Sequence, residues 1–175
     1  MAGSPVEEQR FNRENVIMAA GNWHVFARAK KYICNGTVTL GAGVFRMCLC
    51  RASASAALAA GFVGLRSTWA SVGSEISAQG GYAAGGRSIT PAGGKWTVGA
   101  SARQYRFTFT TAGIVFTASG APLNNLKYAV IRNSTGGGAG YVLCYVTLSS
   151  AAFTVASPNT LTIEPSQPAG IFTMA

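Results

Sequence analysis

Along most of the chain apolar and polar positions alternate with a period of two, the spacing that turns successive side chains to opposite faces of a strand. The segments "TVTL" (37–40), "VFRMCLC" (44–50), "YRFTFT" (105–110), "GIVFTA" (113–118), "LKYAVI" (126–131), "YVLCYVTL" (141–148) and "LTIEP" (161–165) each predict a strand. One segment breaks the period. Asn22 suits a helix cap, and Trp23, Phe26, Ala27 and Ile33 fall near helical spacing before Asn35-Gly36, which predicts a helix over Trp23 to Cys34. Between Ala52 and Lys95 the chain is rich in Ala, Ser and Gly, and we expect a long excursion there with one short helix near Ser53 to Ala60. The closing "GIFTMA" stays apolar and predicts a last strand. Residues 1–21 are polar apart from Val16, Ile17 and Met18, and read as an extended N-terminal arm ahead of a single domain over 22–175. The expected fold class is all-β and mainly antiparallel, a β-sandwich or jelly-roll-like domain with one short N-terminal helix.

The stretch from Leu126 to Leu148 sets the strongest constraint. Leu126, Tyr128 and Val130 would share one face and Lys127, Ala129 and Ile131 the other; Val142, Cys144, Val146 and Leu148 would alternate with Tyr141, Leu143, Tyr145 and Thr147. Both strands are thus apolar on two faces. One face can enter a sandwich core, while the other needs a helix, a loop or another subunit over it, and this favours assembly. The glycines between them, Gly136, Gly137, Gly138 and Gly140, do not form a phosphate loop, because "TGGGAGYVLCYV" leads into a strand and offers no lysine. They read as a hairpin turn, as do "AAGGR" at Ala83 and "LGAGV" at Leu40.

Composition narrows the surface. At 49% hydrophobic and 11% charged, the 175 residues can bury a core but leave few charges to solvate the outside, which again points to burial against neighbours. No apolar run reaches membrane-spanning length; Ala52 to Leu65 comes nearest and is alanine-rich, so no membrane span is expected. The opening "MAGSPVEEQRFNREN" lacks the basic-then-apolar order of a secretory signal, so the chain is expected to be made in a host cytoplasm and kept there. The net charge is +9, yet three of the five acids, Glu7, Glu8 and Glu14, lie in the first fifteen residues. From Val25 to Arg132 twelve basic residues face one acid, Glu75, but they are scattered and form no basic stripe with exposed aromatics. Direct nucleic-acid binding is not expected; it would show as strong, salt-dependent binding of DNA.

Candidate chemistry is sparse. The chain has no Asp and one His, His24, which lacks a nearby carboxylate and reads as a helix-surface or interface residue. Glu75 and Glu164 are the carboxylates left for a glycosidase pair, and neither sits in a distinctive context. No catalytic residue, cofactor site or metal site is expected, and the protein does not read as an enzyme. Cys34, Cys48, Cys50 and Cys144 lack finger or ribbon spacing. They read as buried free thiols, with the sharper possibility of disulfides within or between subunits after release into an oxidising medium.

Three groups of segments, taken in order, carry a resemblance. They are "KKYICNGTVTLGAGVFRMCLCRASAS", then "ISAQGGYAAGGRSIT", then "FTASGAPLNNLKYAVIRNS", "YVLCYVTLSS" and "TLTIEPSQPAGIFTMA". Their order resembles that of a family of small structural proteins encoded among the head and tail genes of tailed bacteriophages, over about Trp23 to the end. Where family members often place acids, this chain has "LGAG" and "RNST". The resemblance implies a β-sandwich virion protein with no catalytic residues. Its partners would be other virion proteins, major capsid or neck and tail subunits, with a homo-oligomer expected in the particle. A capsid decoration or cement protein leads; a neck, collar or tail ring component is the alternative. Subunit-interface candidates are Val16, Ile17, Met18, Trp23, Phe26, Trp69 and Trp96. A carbohydrate- or receptor-binding sandwich is the reading from another class, with Trp69, Trp96, Tyr82 and Tyr105 as stacking candidates.

Overall fold

The computed structural model describes residues 15–18, 22–62, 68–89, 96–98, 105–109, 113–135, 140–165 and 170–174. Strand β1 (Asn15–Met18) and the short β2 (His24–Val25) precede helix α1 (Ala27–Cys34) and strand β3 (Phe45–Cys50). A 3-10 turn at Ala52–Ala54 leads into α2 (Ser55–Phe62), followed by α3 (Trp69–Val72) and β4 (Arg87–Ile89). The remainder is strand: β5 (Trp96–Val98), β6 (Tyr105–Phe107), β7 (Ile114–Thr117), β8 (Leu123–Leu126), β9 (Tyr128–Asn133), β10 (Val142–Thr147), β11 (Phe153–Val155), β12 (Thr160–Ile163) and β13 (Phe172–Met174). They form a five-stranded sheet β2-β10-β9-β3-β4, two three-stranded sheets, β1-β12-β7 and β13-β6-β5, and the pair β11-β8. Every described pairing is antiparallel except β1 with β12. Among the described residues no helix is long and apolar enough to cross a membrane.

The five-stranded sheet is apolar on both faces because two separate clusters need it. Phe45, Met47 and Leu49 of β3 and Ala129 and Ile131 of β9 enter the larger cluster, with Phe107, Phe116, Leu123, Leu161 and Ile163 from the other sheets. Cys50, Tyr128, Val130 and Val142 lie on the other face, under Phe26 at the cap of α1, Ala29 of α1, Ala54, Leu58 of α2 and Val72 of α3. The second apolar face of "LKYAVI" and "YVLCYV" is therefore covered by the chain's own helices. Removing a side chain such as Leu58 from water contributes about 2 kcal/mol, and this cover needs no neighbouring subunit.

Two expected elements differ. The helix starts at Ala27, because His24 and Val25 pair with Tyr145 and Cys144 of β10, and the Phe26 amide donates to the Leu143 carbonyl at 2.9 Å. His24 is thereby a strand residue, its ring stacked on Tyr145 at 5.0 Å. "TVTL" is not a strand: the Thr37 amide donates to Asn35 Oδ1, the Val38 amide to the Tyr32 carbonyl, and the Thr39 carbonyl accepts from Ala42 and Gly43. Val38 and Leu40 are nonetheless buried, so their apolar alternation serves a turn. The helix near Ser53 to Ala60 is present as α2, and β2, α3, β4, β5, β8 and β11 are additional.

The β9–β10 hairpin forms as expected, although 136–139 lie outside the described residues. Its faces are sorted differently from simple alternation. The chain passes from β8 to β9 at Lys127, so Leu126 joins the larger cluster and Tyr128 and Val130 the smaller. In β10 the register jumps from Val142↔Arg132 to Cys144↔Ile131, and the bulge at Leu143 lets Leu143 and Cys144 both serve the larger cluster.

Candidate functional site

The structure separates the expected interface residues. Phe26 is fully buried and belongs to the core, because its extended backbone, bonded to Leu143 ahead of α1, lays its ring in the cluster on β9 and β10. Trp23 packs against the larger cluster with its ring edge-on to Phe109 at 6.2 Å. Trp69 lies half-buried at the start of α3, and Trp96 is in β5. Val16, Ile17 and Met18, expected at a subunit interface, lie in β1, whose ladder runs parallel to β12 of the same chain, in the register Asn15↔Thr160 to Met18↔Ile163. Of the aromatic residues expected to stack on a sugar, Tyr82 is buried in the larger cluster while Trp69 packs on the smaller, so these two do not converge.

All four cysteines are free. Cys48 and Cys50 share one face of β3, as their spacing requires, and Cys144 is in the cluster on the opposite face. Only Cys34, at the end of α1, is exposed, so the intersubunit disulfide expectation narrows to that thiol. Burial pushes the Cys50 and Cys144 thiols up and Cys48 up to about 12, where the nearby Glu75 adds to the rise and Arg132 and Arg46 oppose it. Thiols held protonated in this way are poor nucleophiles and metal ligands. Among the described residues no group of His, Cys, Asp and Glu could hold a metal ion.

What the fold does bring together is a polar cluster around the Gly85-Gly86 turn. Arg46 of β3 and Arg132 of β9 stand directly opposite each other across the ladder. Like charges so placed repel, and the turn offsets this with carbonyls. Arg46 donates from Nε to Gly85 O at 2.7 Å and from Nη2 to Gly86 O at 2.6 Å, and Arg132 Nη2 donates to the same Gly85 O at 3.2 Å. Arg132 is 8% exposed, its Nε has no partner, and its guanidinium lies 5.4 Å from the centre of the Trp69 ring. Glu75 Oε1 accepts from Tyr82 Oη at 2.6 Å and from the Gly85 amide at 2.7 Å, and Tyr82 Oη accepts from the Leu49 amide at 3.1 Å. Burial, Cys48 and the bond to Glu75 all push the Tyr82 phenol up.

Gly86 makes this turn possible. Its φ is +75°, and a Cβ there would sit 2.3 Å from Met47 O and 2.6 Å from Cys48 Sγ. On its outer side the turn borders a cleft of about 500 Å³ between β4, an outer strand of the five-stranded sheet, and β7, an outer strand of its own sheet. Arg46, Arg87, Ser88, Thr117 and Ser119 line it, with Phe116 and Leu123 among its apolar walls. Arg87 crosses the gap and donates from Nη1 to Val115 O.

The sequence reading missed this cluster. Its signal was present: Arg46 and Arg132 are the charged positions inside "FRMCLC" and "YAVIRN", strands whose other residues, apart from Asn133, are apolar on both faces. Chemically the arrangement fixes two guanidinium groups on backbone carbonyls and holds the Glu75 carboxylate between a phenol and an amide. Comparison with protein-family models, curated proteins and solved structures finds no match.

Proposed function

We propose that the protein is a structural subunit of a tailed-bacteriophage particle, most simply a capsid decoration protein that joins its neighbours by surface area and strand pairing. The observation that carries this reading is β1: the arm outside the domain is an edge strand, held through a backbone ladder that a neighbour's edge could equally supply. The order of the β elements, and the layering of the five-stranded sheet on the other strands through one large cluster, suit the sandwich that the sequence resemblance implies. The cluster around Gly85-Gly86 fits a scaffold too, because its arginines and its glutamate bond mainly to backbone carbonyls and amides.

Quantitative mass spectrometry of purified particles against the major capsid protein tests the proposal. Hundreds of copies per head are the expected outcome for a decoration protein. A count near a dozen moves the protein to a ring at the neck or tail, as cyclic symmetry requires. Absence from particles refutes the proposal.

A further inference from the structure

We infer that the cleft between β4 and β7 is a docking site for an acidic peptide segment of a neighbouring protein, with Arg46 and Arg87 receiving its carboxylates. This goes beyond the proposed particle role, since it assigns a site and a ligand chemistry to the isolated chain. Among the described residues neither arginine forms an ion pair: the bonds made by Arg46 go to Gly85 O and Gly86 O, and that of Arg87 goes to Val115 O. A guanidinium carries five N–H donors, so each keeps donors in reserve while backbone carbonyls fix its position. The two carbonyl bonds to Arg46 preorganise its fork for a carboxylate and leave it little side-chain freedom to lose on binding, while exposed Arg87 can turn its remaining donors to a second.

The local charge calls for an anion. Arg132 stands opposite Arg46 across the ladder, and the Glu75 carboxylate is occupied by Tyr82 Oη and the Gly85 amide. Ser88, Thr117 and Ser119 add hydroxyl donors around the opening, and no acid lines it among the described residues. Three features favour a peptide over a nucleic acid. The cleft, at about 500 Å³, holds a few side chains rather than a strand of nucleotides, it has apolar walls in Phe116 and Leu123, and it runs beside a sheet-edge strand whose Val115 carbonyl faces it. An outside partner is favoured over a like chain because this chain carries +9 and only five acids.

The test is calorimetric titration of the full chain at low salt with a hexaglutamate peptide, beside hexaglutamine, inorganic phosphate and a single-stranded oligonucleotide. Amide-shift mapping by NMR locates the peptide. The inference expects hexaglutamate to bind, shifts centred on Ser88, Thr117 and Ser119, and about a tenfold or greater loss of affinity in Arg87→Gln. The double variant Lys30→Gln/Lys31→Gln on exposed α1 removes more charge elsewhere and should change affinity less than threefold. Equal weakening by both variants, shifts away from the cleft, no binding of hexaglutamate, or tighter binding of phosphate or oligonucleotide at the same residues would each overturn it. Because the readout is made on isolated protein, it stands or fails apart from the copy number in particles.

Discussion

At the scale of single residues, the cluster under Gly85-Gly86 links folding to protonation. Cys48 is held as a thiol chiefly by burial and secondarily by Glu75, which lifts it from 9.0 to about 12. An unfolded chain releases this proton near 9 while the folded chain keeps it, so the native state binds more protons at alkaline pH and loses stability as pH rises. Stability should be level below about pH 8.5 and fall between about 9 and 12, by about 1.4 kcal/mol per pH unit for each such group. Tyr82, Cys50 and Cys144 are shifted in the same direction and steepen the fall. Urea unfolding at about pH 7.5, 9 and 10.5 checks this, and Cys48→Ala should remove part of the slope. A midpoint unchanged up to about pH 10.5 would contradict the burial of these groups.

At the scale of elements, the helices that roof β9 and β10 decide whether the doubly apolar strands need a neighbour. Leu58 of α2 is 1% exposed and meets Val130 and Val142 in the same cluster. Leu58→Ala should cost about 2–5 kcal/mol in denaturant unfolding of the isolated protein; a loss below about 0.5 kcal/mol would mean that the roof contributes little in the free chain. The long strands and the hairpin were legible in the sequence because β3, β9 and β10 keep their apolar runs over six residues each. Their facing was not, since period-two counting assumes an unbroken ladder, and the bulge at Leu143 and the change of strand at Lys127 each reverse it. "TVTL" misled for another reason: burial of Val38 and Leu40 writes an alternating pattern whether the backbone is paired in a sheet or, as here, bonded into turns. The Arg46–Arg132 pair was hidden because cross-strand register, which places the two opposite each other, is not readable from either strand alone.

For the molecule as a whole, the open question is how much of its cohesion lies in the N-terminal segment. β1 is the outer strand on β12, and β12 joins it to β7, which borders the arginine cleft on its other side. Removing residues 1–21 would strip the N–H and C=O groups of Thr160–Ile163 of a pairing partner and leave β12 as an open edge that can template other edges. The truncated protein should therefore lose about 2 kcal/mol of stability and show concentration-dependent self-association in sedimentation velocity, against a full chain measured at the same concentrations. The same truncation should lower incorporation into particles if the proposed structural role draws on strand pairing. A truncated chain as stable and as monodisperse as the full one would mean that β1 adds nothing to the free fold. In that case its ladder to β12 would have to be supplied between molecules rather than within one, and loss of incorporation alone would then mark the arm as an assembly element.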